Sequence, residues 1–262
     1  MIRFDCHAHV YKTVTAVPGA RYVPEQPAHL REWLGHQAAH GLAGGVIVQV
    51  SFLGTDNSQL CRALAALDRE RFAGVAVVPL DVDAAALDGL VAAGVRGVRW
   101  NMVRGGVVPD LRAPVTRAFV DRLRTRGMHL EVHLEGPRLA PLLPALTDLG
   151  LPLVVDHFGL PSEADPACDP LVRAVQALDD PGALYMKFSA HYRLPFDVTP
   201  HAEKLLERVS PSHIVWGSDW PHTQNEDRTG YADTYARIAD WGALDDGIAT
   251  SILYGIGHGK GR

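Results

Sequence analysis

Short apolar runs rich in Val and Ile alternate with stretches of helical period along almost the whole chain. The runs fall at Met1–Val10, Gly45–Ser51, Gly74–Leu80, Val95–Asn101, His129–Glu135, Leu153–His157, Leu184–Ser189 and His213–Asp219. Their length and β-branched content predict strands, and their nearly unbroken apolar character suits parallel strands covered by helices. Helices are predicted over Pro27–His40, Asp56–Arg71, Ala84–Ala93, Pro114–Arg126, Pro137–Leu149, Asp169–Asp179, Pro200–Val209, Tyr231–Trp241 and Asp246–Tyr254. Gly41 and Gly127 supply stops, and Pro137 a start. Eight strand–helix units predict an α/β fold, a TIM (β/α)8 barrel forming one domain over residues 1–262. The alternative, a doubly wound open sheet, is weakened because no G-x-G-x-x-G follows the first strand. No Pro-, Gly- or Ser-rich linker divides the chain. Tyr11 to Gln26 is a long irregular stretch, of the kind that often carries function in a compact domain.

The first strand departs from the apolar rule. Asp5, His7 and His9 alternate with Phe4, Cys6 and Ala8. Strand side chains alternate between faces, so the expectation is a polar inner face of Asp5, His7 and His9 backed by an apolar outer one. Two histidines at i and i+2 can reach one metal ion or one polarised substrate atom. An isolated H-x-H is also met as two ordinary half-buried histidines.

Composition narrows the class. Hydrophobic content of 47% and charged content of 21% are those of a soluble globular protein, and 262 residues bury a full core. The formal charge of -5 points away from nucleic acid and from anionic membranes. Cys6, Cys61 and Cys168 are scattered and odd in number, without a C-x-x-C motif or a disulfide framework. The chain enters its first strand without a basic-then-apolar leader and holds no membrane-length apolar run. A cytoplasmic location is therefore expected, with a small molecule as partner and the oligomeric state open.

In a barrel of this kind chemistry sits at the C-terminal ends of the strands. Those ends carry His7 and His9 on strand one, Gln49 and Ser51 on two, and Arg99, Asn101 and then Arg104 on four. Strand five carries His133, strand six His157, strand seven Lys187, Ser189, His191 and Arg193, and strand eight Asp219. Taken singly, Asp219 could be a helix N-cap and His157 a core histidine. Four such residues at four strand ends favour a site.

The motifs Asp5-x-His7-x-His9, His133, Asp156-His157 and Gly217-Ser-Asp219-Trp-Pro-His222 resemble the amidohydrolase superfamily, in particular its amidohydrolase-related (type 2) branch of decarboxylases and lactonases. Gly94-Val-Arg-Gly-Val-Arg99-Trp-Asn101, Val154-Val-Asp-His157-Phe-Gly-x-Pro161 and the run ending at His222 resemble the 2-pyrone-4,6-dicarboxylate lactonases and related sugar lactonases. The likeness runs from Phe4 to about Pro221. It implies that Asp219 is the general base on the attacking water. It also implies that His7, His9 and His157 polarise a lactone or ester carbonyl, directly or through a metal. Activated water plus a stabilised oxyanion is what such hydrolysis requires.

His7, His9, His133 and Asp219 together would suit one Zn2+ or other divalent ion. The branch's decarboxylases use a set like this, whereas the dicarboxylate lactonases have tyrosine at the His133 position and work without metal. The strand-four lysine that bridges two metals in binuclear members is absent. Arg99, Arg104 and Arg193 match arginines that bind substrate carboxylates, with Tyr22, Asn101 and Gln49 beside them; a guanidinium forks onto a carboxylate. A further arginine of the lactonase pattern is replaced by Leu160, which favours a less charged lactone. The expected activity is therefore hydrolysis of a carboxylate-bearing lactone or cyclic ester. The alternative is metal-dependent, non-oxidative decarboxylation of an aromatic or muconate-type acid, and a non-catalytic binder is a more distant one. The Gly-rich end Leu253–Arg262 is expected to fray.

Overall fold

The strands are buried on both faces, as their apolar runs require. In the computed structural model, which describes residues 1–257, they are β1 Phe4–Ala8, β2 Gly44–Val48, β3 Phe72–Ala76, β4 Val95–Asn101, β5 His129–His133, β6 Leu153–Val155, β7 Leu184–Ser189 and β8 Ile214–Gly217. They pair in parallel in sequence order, β1 to β8. The ring is drawn shut where the Asp219 amide donates to the His7 carbonyl and the His9 amide to the Trp220 carbonyl, both at 2.8 Å. The fold is a TIM barrel.

Between the strands run α1 Leu30–Ala39, α2 Ser58–Ala65, α3 Ala84–Ala92, α4 Pro114–Arg124, α5 Gly136–Leu139, α6 Leu143–Thr147, α7 Pro170–Gln176 and α8 Thr199–Leu206, and after the last strand come α9 Tyr231–Ala236 and α10 Gly247–Tyr254. The helix expected over Pro137–Leu149 is broken into α5, a 3-10 turn and α6. Pro141 and Pro144 remove backbone donors there. No helix of the described residues is long and apolar enough to cross a membrane.

Phe4 and Cys6 pack with Val46, Val48, Ala73, Val75, Val154, Tyr185 and Val215, alternate positions of the strands, and so lie inside the barrel. Leu253, Tyr254 and Ile256 join them. Asp246, just before α10, accepts from the Arg3 and Phe4 amides at 2.9 Å. α10 therefore plugs the end of the barrel where the strands begin. The described part of the tail expected to fray is thus packed; residues 258–262 of it lie outside the described residues.

The first strand also differs from the expected alternation. Its register against β2 slips between Asp5 and Ala8. The slip is a bulge, which places an extra residue on one strand and re-aims the side chains beyond it. Before it, Phe4 and Cys6 face inward. Asp5 faces the helices, accepting from Trp33 Nε1 at 2.7 Å and the Tyr231 hydroxyl at 3.0 Å. After it, His7 and His9 face inward. The expected inner set loses Asp5 and keeps the two imidazoles.

Candidate active site

The site forms where the strands end. Gln49, His157 and Asp219 lie just past the ends of β2, β6 and β8, in segments that leave the ladder. Among the described residues, every non-glycine residue with positive φ falls in the same region. They are Arg104, His157, Phe158, Leu160, Ala190, Asp219, His222 and Gln224, all beyond the C-terminal ends of β4, β6, β7 and β8. Such backbone costs roughly 1–3 kcal/mol per residue and persists where the surroundings enforce it.

Asp219 is the centre. Its Oδ2 accepts from the Tyr192 hydroxyl at 2.6 Å and from Arg193 Nε and a terminal guanidinium nitrogen at 2.8 and 2.7 Å. Its Oδ1 is buried with no hydrogen-bond partner. That atom lies 3.7 Å from His7 Nε2 and 3.6 Å from His9 Nε2. Burial alone would raise the Asp219 pKa, but the Arg193 guanidinium and the nearby imidazoles outweigh it and hold the carboxyl well below the usual range. Burial also lifts the Tyr192 hydroxyl well above its ordinary pKa, Asp219 adding to the effect, so Tyr192 stays a donor.

Each imidazole has a backing partner. His9 Nδ1 donates to the Val48 carbonyl at 2.8 Å, which turns Nε2 toward Asp219. His157 Nδ1 lies 2.7 Å from the Ser189 hydroxyl. Burial holds the His157 pKa down to about 4. His7 Nδ1 is 3.1 Å from Lys187 Nζ. An ammonium only donates, so Nδ1 accepts. Burial and Lys187 keep His7 neutral, its pKa well below the ordinary value. The proton of the ring then sits on Nε2, facing Asp219, as assigned from its partner. Gly217 makes room for this ring: a Cβ there would lie 2.3 Å from the His7 Cβ.

Beneath the imidazoles lies a buried charge network that the strand pattern alone did not disclose. Lys187 Nζ is 2.6 Å from Glu131 Oε2 and 3.4 Å from Asp156 Oδ1. Arg99 Nε is 2.8 Å from Asp156 Oδ2 and 3.6 Å from Glu131 Oε1. The two cations and two carboxylates balance, as buried charges must. Burial would raise Asp156, but Arg99 and Lys187 hold it well below the carboxylate range.

The cavity above is lined by His9, Tyr22, Arg99, Asn101, Arg104, His133, His157, Arg193 and Asp219, all expected from the sequence. His7 is not among the lining residues: it is fully buried behind them, its ring against those of His9 and His157. Gln49 is not brought to the cavity: its amide donates to the Gly54 and Asp56 carbonyls, tying down the loop after β2. Arg21, Ser51, Val103, Thr223 and Gln224 complete the lining. Arg21 and Tyr192 were missed as site residues, although each neighbours a residue singled out in the sequence, Tyr22 and Arg193.

The donor set for a metal also differs from the expected one. Donor atoms of His7, His157 and Asp219 lie within 4.8 Å of one another. His133 groups instead with Asp156 and His157, its Nδ1 held at 3.0 Å by Arg99. Burial and Arg99 keep the His133 pKa well below its ordinary value. Asp219 Oδ1 and His7 Nε2 are buried, have no hydrogen-bond partner and lie 3.7 Å apart, so the first triad fits a single divalent cation. To ligate, His7 must move its proton to Nδ1, where Asp156 Oδ1 is 3.4 Å away.

Known proteins share the sequence and fold of this chain. Over 249 residues the chain is 28% identical to a 2-pyrone-4,6-dicarboxylate hydrolase of Comamonas testosteroni, covering 85% of this chain and 78% of that one. It is also 28% identical over 255 residues to a 4-sulfomuconolactone hydrolase of Rhizobium radiobacter, covering 92% and 80%. The crystal structure of a probable 2-pyrone-4,6-dicarboxylic acid hydrolase from Acinetobacter baumannii with citric acid bound superposes with a TM-score of 0.86 at 29% identity. That match covers 98% of this chain and 100% of the other. The amidohydrolase family model matches residues 4–255, and the chain belongs to that family of enzymes.

Proposed function

We propose that this protein hydrolyses a lactone or similar cyclic ester that carries a carboxylate, with Asp219 as general base. The unpartnered Oδ1 of Asp219 supports this most directly: it is ionised, buried and ringed by imidazoles. Both named relatives are lactone hydrolases. A water on the cavity side of Asp219 Oδ1 and His9 Nε2, donating to both, would be oriented to attack. Its proton passes to Oδ1 as its oxygen bonds to the carbonyl carbon. The Nε2–H of His7, with His157 beside it, faces the charge that develops on the carbonyl oxygen, the arrangement that lowers such barriers most. The ring C–O bond then breaks and Asp219 returns the proton to the leaving oxygen. Tyr192 and Arg193 keep Asp219 from rotating.

His7, His157 and Asp219, with His9 adjacent, would hold a divalent cation such as Zn2+. When bound, such an ion polarises the carbonyl and acidifies its water. Asp156 and Glu131 are already neutralised by Lys187 and Arg99, so at most one ion per chain is expected. Arg99, Arg104, Arg193, Tyr22 and Asn101 are proposed to contact substrate.

Asp219→Asn tests the assignment. Lactone opening, followed by proton release, is expected to fall about 10³-fold while the circular dichroism spectrum is unchanged. Elemental analysis of the Zn2+-loaded proteins is expected to give no more than one ion per wild-type chain and less in the variant. Undiminished turnover in Asp219→Asn would remove Asp219 from the base role. CO2 evolution from aromatic or muconate-type acids, without lactone opening, would favour decarboxylation.

A further inference from the structure

Four guanidiniums border the cavity, and they are not equivalent. Arg99 is bound to Asp156 and His133, and Arg193 lays its fork on Asp219. Their charge is matched inside the protein. Arg21 and Arg104 have no ion pair among the described residues. Arg21 donates from one terminal nitrogen to the Val103 carbonyl at 2.6 Å and from the other to Asn101 Oδ1 at 2.7 Å. Arg104 donates to Gln224 Oε1 at 3.4 Å. A guanidinium has five N–H donors. Arg21 therefore keeps three and Arg104 four, enough for a bidentate hold on an anion.

Their position has a second feature. Arg21, Ser51, Asn101, Val103 and Arg104 line both the catalytic cavity and a neighbouring recess. Beyond these five, the recess is lined by the small residues Gly19, Ala20, Gly54, Gly105 and Gly106 with Val17 and Val77. The two free cations stand at the junction. The neutral partners Val103 and Asn101 set the direction of Arg21 without cancelling its charge, and the nearby Glu135 carboxylate, which accepts the Arg104 amide at 2.6 Å, is ion-paired with Arg138, so both guanidiniums stay open to a further anion.

We infer that Arg21 joins Arg104, which the lactonase resemblance already assigns to a substrate carboxylate, as a second guanidinium on that carboxylate at the mouth of the recess, and that Arg21 decides specificity for charged over uncharged lactones. It rests on the lactonase function proposed above. Arg21 stands on the loop after β1 and supplies a guanidinium to a cavity whose β6 loop carries Leu160. The carboxylate is thus held on the side of β1 and β4, away from Asp219, which presents the lactone carbonyl to the imidazoles. Arg21 is a specificity residue; it touches no reacting atom.

Citrate is the binding probe, and a carboxylate-bearing lactone with its methyl ester is the kinetic one. Citrate is expected to bind wild type in isothermal titration calorimetry, and Arg21→Gln to weaken it at least tenfold. Arg21→Lys, which keeps the charge and loses the fork, is expected to fall between them. Arg117→Gln, at an exposed arginine on α4, should bind as wild type does. In turnover, Arg21→Gln should raise KM for the acid at least tenfold, leave kcat within about twofold, and leave KM for the methyl ester unchanged. Citrate affinity and acid KM unaltered in Arg21→Gln would overturn the Arg21 assignment while leaving the lactonase assignment intact. Arg21-dependent citrate binding in a wild-type protein that opens no lactone would do the reverse.

Discussion

His157 shows how much a single side chain owes to its surroundings. An ordinary histidine titrates near 6.5, but burial at the end of β6 takes this one to about 4. A lowered histidine pKa means that the unfolded chain binds the proton first. The stability contributed by neutral His157 is therefore complete above about pH 6.5 and is lost as pH falls toward 4. Activity follows the same sign. Asp219 is ionised and the imidazole neutral across that range, so kcat/KM is expected to stay flat from pH 8 down to about 5 and to fall only below it. A His157 imidazole found by NMR to titrate near 6.5 would overturn this assignment.

At the scale of elements, β1 and β8 work as one unit. Asp5 lies outside the barrel, yet it accepts from the Ser218 amide at 2.9 Å and hydroxyl at 2.7 Å. It thereby pins the residue before Asp219. The bulge that sends Asp5 outward leaves His7 inward, so one irregularity in β1 serves both the anchor and the imidazole. Gly217 is the matching feature in β8. Gly217→Ala places a methyl group against the His7 Cβ, an overpacking that costs roughly 1–3 kcal/mol. Urea denaturation is expected to show that loss, and turnover to drop by more than tenfold because the His7 ring is displaced. Wild-type activity in Gly217→Ala would mean that His7 does not need its present position.

For the whole molecule, the barrel interior is divided along its axis. The end where strands begin is mostly apolar, with the buried His129 ring against Tyr254, and is closed by α10. The middle holds Lys187, Glu131, Arg99 and Asp156, each at most 3% exposed. The other end carries the cavity. Removing one member of a buried balanced set leaves an uncompensated charge, at a cost of roughly 3–5 kcal/mol. Lys187→Met is expected to be destabilised by that amount in chemical denaturation, and Lys187→Met combined with Glu131→Gln to recover much of it. Equal stability of the single and double variants would show that Glu131 does not depend on Lys187 for its charge balance.

The chain's periodicity was sufficient for the barrel, because eight apolar runs each followed by a helical stretch admit few other ways to bury both faces of every strand. The strand-end rule then placed His7, His9, His157 and Asp219 in one region, since the parallel barrel brings all C-terminal strand ends together. Relations that depend on fractions of a turn or a single residue of register were not legible. The β1 bulge reversed Asp5, because alternation is a property of an unbroken ladder. The grouping of His7 and Asp219 with His157 rather than His133, and the diversion of Gln49 to the loop after β2, depend on distances across strands that no spacing encodes. So does the division of the arginines into two that neutralise buried carboxylates and two that remain free. Composition names an arginine, but only its neighbours in space decide whether its charge is already spent.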